Sequence, residues 1–278
     1  MLYLILAIMS STMVSVVMRL SSDKISANLS MLAVNYLVCA ALGAGYAGFD
    51  LWKPEAAGFA LTVALGTLSG VLYLVGFVKL QQSIRKNGVV LSSVFMKLGL
   101  LVPIAMSLLL FGEVPTHAQI AGFVIAVCSI VLINLKKDPG AKGFGLGLIA
   151  LLLVGGGCDA MSKVFEVYGP ANLSEQFLFY TFVVAFALCT GMVIWKKERP
   201  GIWELAFGIL ISVPNFFSAK FLLLALTKLP AVVVYPSFSV GTMLLVTLTG
   251  VAVFRERLSK VQWVAMGAIV AALILLNI

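Results

Sequence analysis

The segment Ala27-Asn28-Leu29-Ser30 occurs a second time, as Ala171-Asn172-Leu173-Ser174, 144 positions further along the chain. The same shift aligns Arg19 with Lys163 and Tyr36 with Tyr180. Later in each half a shift of 143 positions aligns, without a gap, Phe95 with Phe238, Phe111 with Phe254, Glu113 with Glu256, Gln119 with Gln262 and Asn134 with Asn277. The two halves of the chain therefore descend from one unit.

The composition places this repeated unit in lipid. Apolar residues make up 62% of the chain, charged residues only 11%, and the mean hydropathy is +1.11. Soluble domains carry about a quarter charged residues. Apolar runs long enough to cross roughly 30 Å of hydrocarbon follow one another almost without interruption. These runs predict helices, because hydrocarbon offers no partner to backbone polar groups and no alternating strand pattern occurs.

Polar, glycine and proline residues divide the chain into about ten predicted transmembrane helices. They cover residues 2–20, 30–48, 57–80, 88–111 and 117–135 in the first half and 145–167, 175–195, 202–227, 230–254 and 260–277 in the second. The predicted fold is an all-α membrane protein of two five-helix repeats, residues 1–137 and 145–278, joined by a cytoplasmic linker at 138–144. The short connectors predict that consecutive helices are antiparallel and in contact.

An odd number of helices in each half predicts that the two repeats are inverted with respect to the membrane. Fourteen basic residues lie in or beside the loops after odd-numbered helices, whereas three, Lys53, Lys163 and Lys228, lie on the opposite side. Since basic residues favour the cytoplasmic side, we expect those loops in the cytoplasm and both termini outside, in the inner (plasma) membrane. The net charge of +8 is then explained by orientation, and no nucleic-acid partner is predicted.

An acidic corner precedes the last helix of each half, as residues 111–115 (FGEVP) and 254–258 (FRERL). Together with five plus five inverted helices, this corner resembles the drug/metabolite transporter superfamily, and its EamA-like branch in particular. The resemblance spans the whole chain. It implies a secondary transporter that exports or exchanges a small organic solute by alternating access through a central cavity lined by the third, fourth, eighth and ninth helices.

Lys97 lies about nine residues into the fourth predicted helix, roughly 14 Å deep and near the membrane midplane. A charge at that depth is costly unless it faces a cavity or a partner. Lys97 is therefore our first candidate for binding a substrate carboxylate or phosphate, with an internal ion pair as the alternative. The other candidate substrate-binding residues, each otherwise an interhelical contact, are Ser93, Tyr73, Asn215, Tyr235 and Ser239.

Asp159 and Lys163 are four residues apart in the sixth predicted helix, a spacing that favours a structural ion pair. The alternative is a role in ion coupling. The repeat aligns Asp159 with Ser15 of the first helix, where the small multidrug resistance proteins, which resemble one half of this chain, hold their proton-coupled carboxylate. Two functional alternatives therefore stay open: proton-coupled export of lipophilic cations or drugs, and a non-transporting membrane scaffold or lipid scramblase.

Other features favour structural roles. The run Gly155-Gly156-Gly157 predicts close helix contact, and Pro103, Pro214 and Pro236 predict kinks within spans. Glu113 and Glu256 stand at helix ends, where capping or a salt bridge explains them.

The spacing of reactive side chains predicts neither an enzyme nor a cofactor or metal site, because no nucleophile with a base and no ligand cluster stands at the required distances. We expect a small-molecule solute and membrane lipid as partners. A monomer and a homodimer are both compatible with the sequence.

Overall fold

The computed structural model describes residues 1–22, 24–87, 89–133, 146–253, 255 and 259–278. All regular structure in these ranges is helical. The helices are α1 (Leu2–Ser21), α2 (Asn28–Tyr46), α3 (Phe59–Asn87), α4 (Val89–Lys97), α5 (Leu101–Leu110), α6 (His117–Ile133), α7 (Leu146–Tyr168), α8 (Ser174–Lys196), α9 (Ile202–Leu226), α10 (Ala231–Ala252) and α11 (Lys260–Leu276). Short 3-10 turns, Leu98–Leu100 and Ala171–Leu173, lie between α4 and α5 and before α8.

The prediction of an all-α membrane protein with about ten spans is confirmed. Helices α4 and α5 with the turn between them form the fourth span, and every other predicted span corresponds to one helix. Eight of the spans in the described residues are long and apolar enough to cross a membrane, while α6 and α11 are apolar helices of 17 residues each. The predicted linker 138–144, and Phe254, Glu256 and Asn134 of the repeat, lie outside the described residues.

The prediction that consecutive helices pack together is wrong for much of the chain. In the described residues the pairs α1–α2, α2–α3, α7–α8 and α8–α9 make at most marginal contact. Instead α2 packs against α8 and α9, α3 against α7 and α8, and α1 against α9 and α10. A short loop fixes the direction of the next helix but not the face that it buries, and these helices bury their faces against the other half.

The contacts between the halves follow the internal repeat. The repeat relates α1, α2 and α3 to α7, α8 and α9, and the packing of α1 on α9 has its counterpart in that of α3 on α7. In the same way α2 on α9 corresponds to α3 on α8, and α1 on α10 corresponds to α5 on α7. Helices that correspond to each other, α2 with α8 and α6 with α11, also pack together. This pattern is typical of two related units assembled about a pseudo-twofold axis.

Glycines allow the two halves to approach closely. A Cβ atom built on Gly66 of α3 would lie 3.0 Å from the Phe177 carbonyl oxygen of α8, and one on Gly208 of α9 would lie 2.9 Å from the Met31 carbonyl oxygen of α2. Lipid tails are as apolar as the helix faces, so helices in a membrane gain from close packing rather than from leaving water. The small residues therefore decide which faces meet.

The closest of these approaches joins the broken fourth span to α7. Pro103 has no N–H, so it cannot donate the α-helical hydrogen bond to the carbonyl of Gly99, four residues earlier, and the chain tightens there into a 3-10 turn. That carbonyl oxygen faces Gly156 of α7, where an added Cβ would collide with it and with the Val102 side chain. The helix break near Pro103 and the close packing of the glycine run, both predicted from the sequence, therefore occur at the same contact.

Replacing Gly156 with valine is expected to destabilise the protein by about 1–3 kcal/mol or more, because the side chain overpacks the contact with the turn. Gly157→Ala is the matched control, since its Cβ would meet only the Leu72 side chain at 3.4 Å. Thermal unfolding in detergent, followed by tryptophan fluorescence, measures both variants. Equal unfolding temperatures for the two would contradict the proposed role of this contact.

Candidate functional site

Two opposite charges lie beside the break in the fourth span and its contact with α7. Lys97 is the last residue of α4, directly before the turn, and Asp159 lies on α7 one turn beyond Gly156. The two charges interact electrostatically, but they form no ion pair within 4.0 Å; the four ion pairs seen in the described residues involve other groups. Both side chains are half-buried.

Two tyrosines that the sequence marked as candidate substrate-binding residues lie near Asp159. The hydroxyl of Tyr235, on α10, donates a hydrogen bond of 2.7 Å to the Asp159 backbone carbonyl, and its ring is only 1% exposed. Tyr73, on α3, interacts electrostatically with Asp159 and packs edge-on against Tyr36. Side chains from α3, α4, α7 and α10 therefore converge on one region, which we call the central site: Lys97, Asp159, Tyr73 and Tyr235.

Ser93 and Ser239 fall on helices that contribute to the central site. Ser93 lies four residues before Lys97 on α4, and Ser239 lies four residues after Tyr235 on α10. Residues at that spacing share a helix face. Both serines are half-buried, so their hydroxyls are placed one turn from the charged and phenolic groups.

Asn215 has its contacts elsewhere. Its amide donates to the Asn35 side-chain oxygen of α2 at 3.4 Å and lies 3.8 Å from the Cys39 sulfur. Cys39 in turn donates to the Ser212 carbonyl at 3.3 Å. These bonds join α2 to α9, so the interhelical alternative accounts for the contacts that Asn215 makes.

The prediction of an Asp159–Lys163 ion pair is wrong. The Lys163 ammonium lies 2.9 Å from Glu113 and 2.6 Å from Glu166. A long lysine side chain reaches toward the nearer membrane surface, and Lys163 therefore extends to the carboxylates at the end of α7 rather than back to Asp159. The consequence is that Asp159 is not neutralised by its neighbour on the same helix.

Glu113 has a second role as the cap of α10. Its carboxylate accepts hydrogen bonds from the Ala231 and Val232 backbone amides at 3.2 and 3.4 Å. These amides have no partner within the helix, and the negative charge also opposes the helix dipole. The predicted capping and salt-bridge role of Glu113 is confirmed, whereas Glu256 lies outside the described residues.

A second ion pair stands at the same end of the bundle. Lys220 of α9 lies 2.8 Å from Glu175 at the start of α8, and its ammonium sits 3.4 Å from the centre of the Tyr46 ring. No sequence pattern had assigned a role to Glu166 or Glu175. The spacing of Lys163 and Glu166, three residues apart, could have revealed the first pair, but the second joins helices that no local pattern connects.

Glu113, which follows the end of α5, contacts both the Lys163 side chain of α7 and the first amides of α10. Burial alone would raise the pKa of its carboxyl, but the hydrogen bonds and the positive charge of Lys163 outweigh this effect and lower the pKa below its ordinary value. A lowered pKa in the folded state means that the ionised form stabilises the protein. This contribution is present at neutral pH and is lost on acidification below the ordinary glutamate pKa of about 4.3.

Glu113→Gln is expected to lower the stability at neutral pH by roughly 1–3 kcal/mol, because a charge-assisted bond to Lys163 is lost. The variant should also show a smaller loss of stability between neutral and acidic pH than the unmodified protein. Asp50→Asn is the control, since Asp50 is 60% exposed in its pair with Lys53 and exposed pairs contribute little. Unfolding temperatures measured across this pH range test both expectations, and an unchanged acid dependence in Glu113→Gln would contradict them.

These features define the class of protein. A multi-pass helical bundle made of two inverted repeats, with a broken helix and, among the described residues, no ion pair formed by Lys97 or Asp159, has the architecture of a membrane transporter. Residues 141–278 match the model of the EamA-like transporter family. The second half of the chain is thus similar to that family, and the resemblance predicted from the sequence is confirmed. The members of the family are membrane transporters of small solutes.

Two further comparisons cover almost the whole chain. An uncharacterized protein of Haemophilus influenzae is 27% identical over 277 residues, which is 94% of this chain and 92% of that protein. A protein of known crystal structure superposes with a TM-score of 0.72 at 16% identity, covering 99% of this chain and 94% of that one. The crystal structure shows that the fold is shared over both halves.

Proposed function

We propose that the protein is a secondary transporter of the plasma (inner) membrane that exports or exchanges a small organic solute bearing a carboxylate or another anionic group. The solute binds in the central site, with Lys97 as the cation that receives the anionic group. The observation that carries this proposal is Lys97 itself, which lies half-buried beside the break in the fourth span without a direct ion pair to Asp159. A lysine so placed is stabilised when a substrate supplies the negative charge.

The surroundings of Lys97 support the same proposal. Tyr73, Tyr235, Ser93 and Ser239 lie on the helices around it and offer hydroxyl groups, which fix the orientation of a solute in a mostly apolar pocket. The inverted repeats support alternating access, because rocking of one set of helices against the other exposes a midplane site to each side in turn.

A second candidate function is favoured by a different observation. Since Lys163 pairs with Glu113 and Glu166, Asp159 keeps a carboxylate that can bind a proton or an organic cation. This supports the alternative of proton-coupled export of lipophilic cations. A non-transporting scaffold or scramblase is the third class, and it would be favoured if no solute moved through the protein.

The experiment that separates these functions measures transport by the purified protein in proteoliposomes. A panel of radiolabelled amino and hydroxy acids is the probe for anionic solutes, and tetraphenylphosphonium export driven by a pH gradient is the probe for cations. Lys97→Gln is expected to weaken binding of the transported acid ten- to a hundredfold, because a charge-assisted bond contributes about 1.5–3 kcal/mol.

The controls for this experiment remove charges outside the central site. Lys228→Gln, at an exposed loop position, and Asp50→Asn should both leave transport unchanged. Loss of proton-driven tetraphenylphosphonium export in Asp159→Asn, with Lys97→Gln active, would replace our proposal with the second candidate. Solute uptake that Lys97→Gln leaves intact would exclude Lys97 as the binding cation.

A further inference from the structure

Helix α3 is longer than its apolar sequence requires. Its apolar part runs from Phe59 to Val78, twenty residues without a charge, which span about 30 Å and so fill the hydrocarbon thickness. The helix nevertheless continues to Asn87, beyond the predicted end at residue 80. The last turns of α3 therefore stand at the level of the lipid headgroups.

These turns carry a polar stripe along one face. Lys79, Gln82, Ser83 and Lys86 follow the spacing i, i+3, i+4, i+7, which puts them on the same side of the helix. Basic residues predominate on this side of the membrane, which lies after an odd-numbered span. The stripe is thus a local concentration of positive charge on a rigid element.

The stripe forms one wall of a partly open cavity of about 160 Å³. The cavity is lined by Lys79, Gln82, Ser83, Lys86, Asn87 and Gly147. Gly147 belongs to the first turn of α7, and a side chain added to it would meet no atom within 4 Å. The space has the volume of about five water molecules, which accommodates a phosphate group.

The two lysines that line the cavity favour the binding of an anion. Among the described residues, no carboxylate pairs with Lys79 or Lys86. Ser83 and Ser92 share a hydrogen bond of 2.7 Å, and Asn87 donates to Ser83 at 3.2 Å. These buried bonds tie the end of α3 to α4, so the wall is fixed while both ammonium groups stay available.

We propose that this cavity binds a phosphate group, and that its source is the headgroup of an anionic phospholipid in the leaflet on the basic side of the protein. The depth of the stripe matches the headgroup level, and a basic pocket between helices on that side attracts anionic lipid. The cavity lies at the end of α3 rather than among the residues of the central site. Lipid binding here does not rest on the proposed transport function.

The test uses the purified full-length protein in a neutral detergent, titrated with dioleoylphosphatidylglycerol while the unfolding temperature is recorded. A ligand that binds the folded state raises this temperature. The double variant Lys79→Gln/Lys86→Gln is expected to need about 30-fold more lipid for the same rise, since each lysine near a charged headgroup contributes about a factor of five. Dioleoylphosphatidylcholine should give no comparable rise.

Matched variants separate the cavity from general charge and from folding. Lys53→Gln/Lys228→Gln removes two basic residues on the opposite side and should keep the response to phosphatidylglycerol. Gly147→Leu keeps both lysines but fills the cavity and should lose the response, whereas Gly191→Leu, at another glycine with no atom within 4 Å, should not. The lipid-free unfolding temperatures report whether each variant is folded.

A parallel titration with potassium phosphate at constant ionic strength distinguishes the two sources of a phosphate group. Protection by inorganic phosphate that is equally strong, and is lost in the same variants, would support the phosphate site but overturn the lipid as its ligand. An equal response to phosphatidylglycerol in the unmodified protein and in both cavity variants would overturn the site. Because the readout is binding, a failure of transport in proteoliposomes leaves this result unaffected.

Discussion

The contact between the Gly99 carbonyl and Gly156 determines the arrangement at the centre of the molecule. Pro103 cannot donate the α-helical hydrogen bond to that carbonyl, and the fourth span changes to a 3-10 turn at Leu98–Leu100. Only a residue without a side chain on α7 leaves room for the carbonyl, so the broken span packs directly against α7. This places Lys97 at the end of α4 within electrostatic reach of Asp159.

The charges of the bundle are divided between two levels. At one end, Lys163 pairs with Glu113 and Glu166, and Lys220 pairs with Glu175. Glu113 also binds the first amide of α10. These groups lie near a membrane surface and stabilise the assembly. Lys97 and Asp159 lie beside the break in the fourth span, and in the described part of the chain no ion pair of this kind joins either of them to another residue. Because Lys163 pairs with Glu113 and Glu166, it does not neutralise Asp159. The ion pairs at the end of the bundle therefore affect the charge of the central site.

The two halves share a scaffold but differ in chemistry. Contacts occur in related pairs because each helix packs on the opposite half, an arrangement in which movement of one set of helices necessarily changes the packing of the other. The charged residues break this symmetry. Lys97 corresponds by the repeat to Val240, which is fully buried, and Asp159 to Ser15, whose hydroxyl bonds to the Ser11 carbonyl of its own helix. The charges of the central site therefore have no counterpart in the related positions of the other half.

The sequence by itself determined the number and approximate limits of the spans, the internal repeat and the depth of Lys97, because apolar length and helical rise are local properties. It also indicated that Gly155–Gly157 and Pro103 would matter. Only the tertiary structure decided that these meet, that Lys163 also pairs with Glu113, and that α2 packs on α8 and α9. Side-chain reach and the choice of buried face depend on groups distant in sequence. A spacing of four residues makes a contact between Asp159 and Lys163 available, but competition from Glu166 on the same helix and from Glu113, distant in sequence, decides whether it forms.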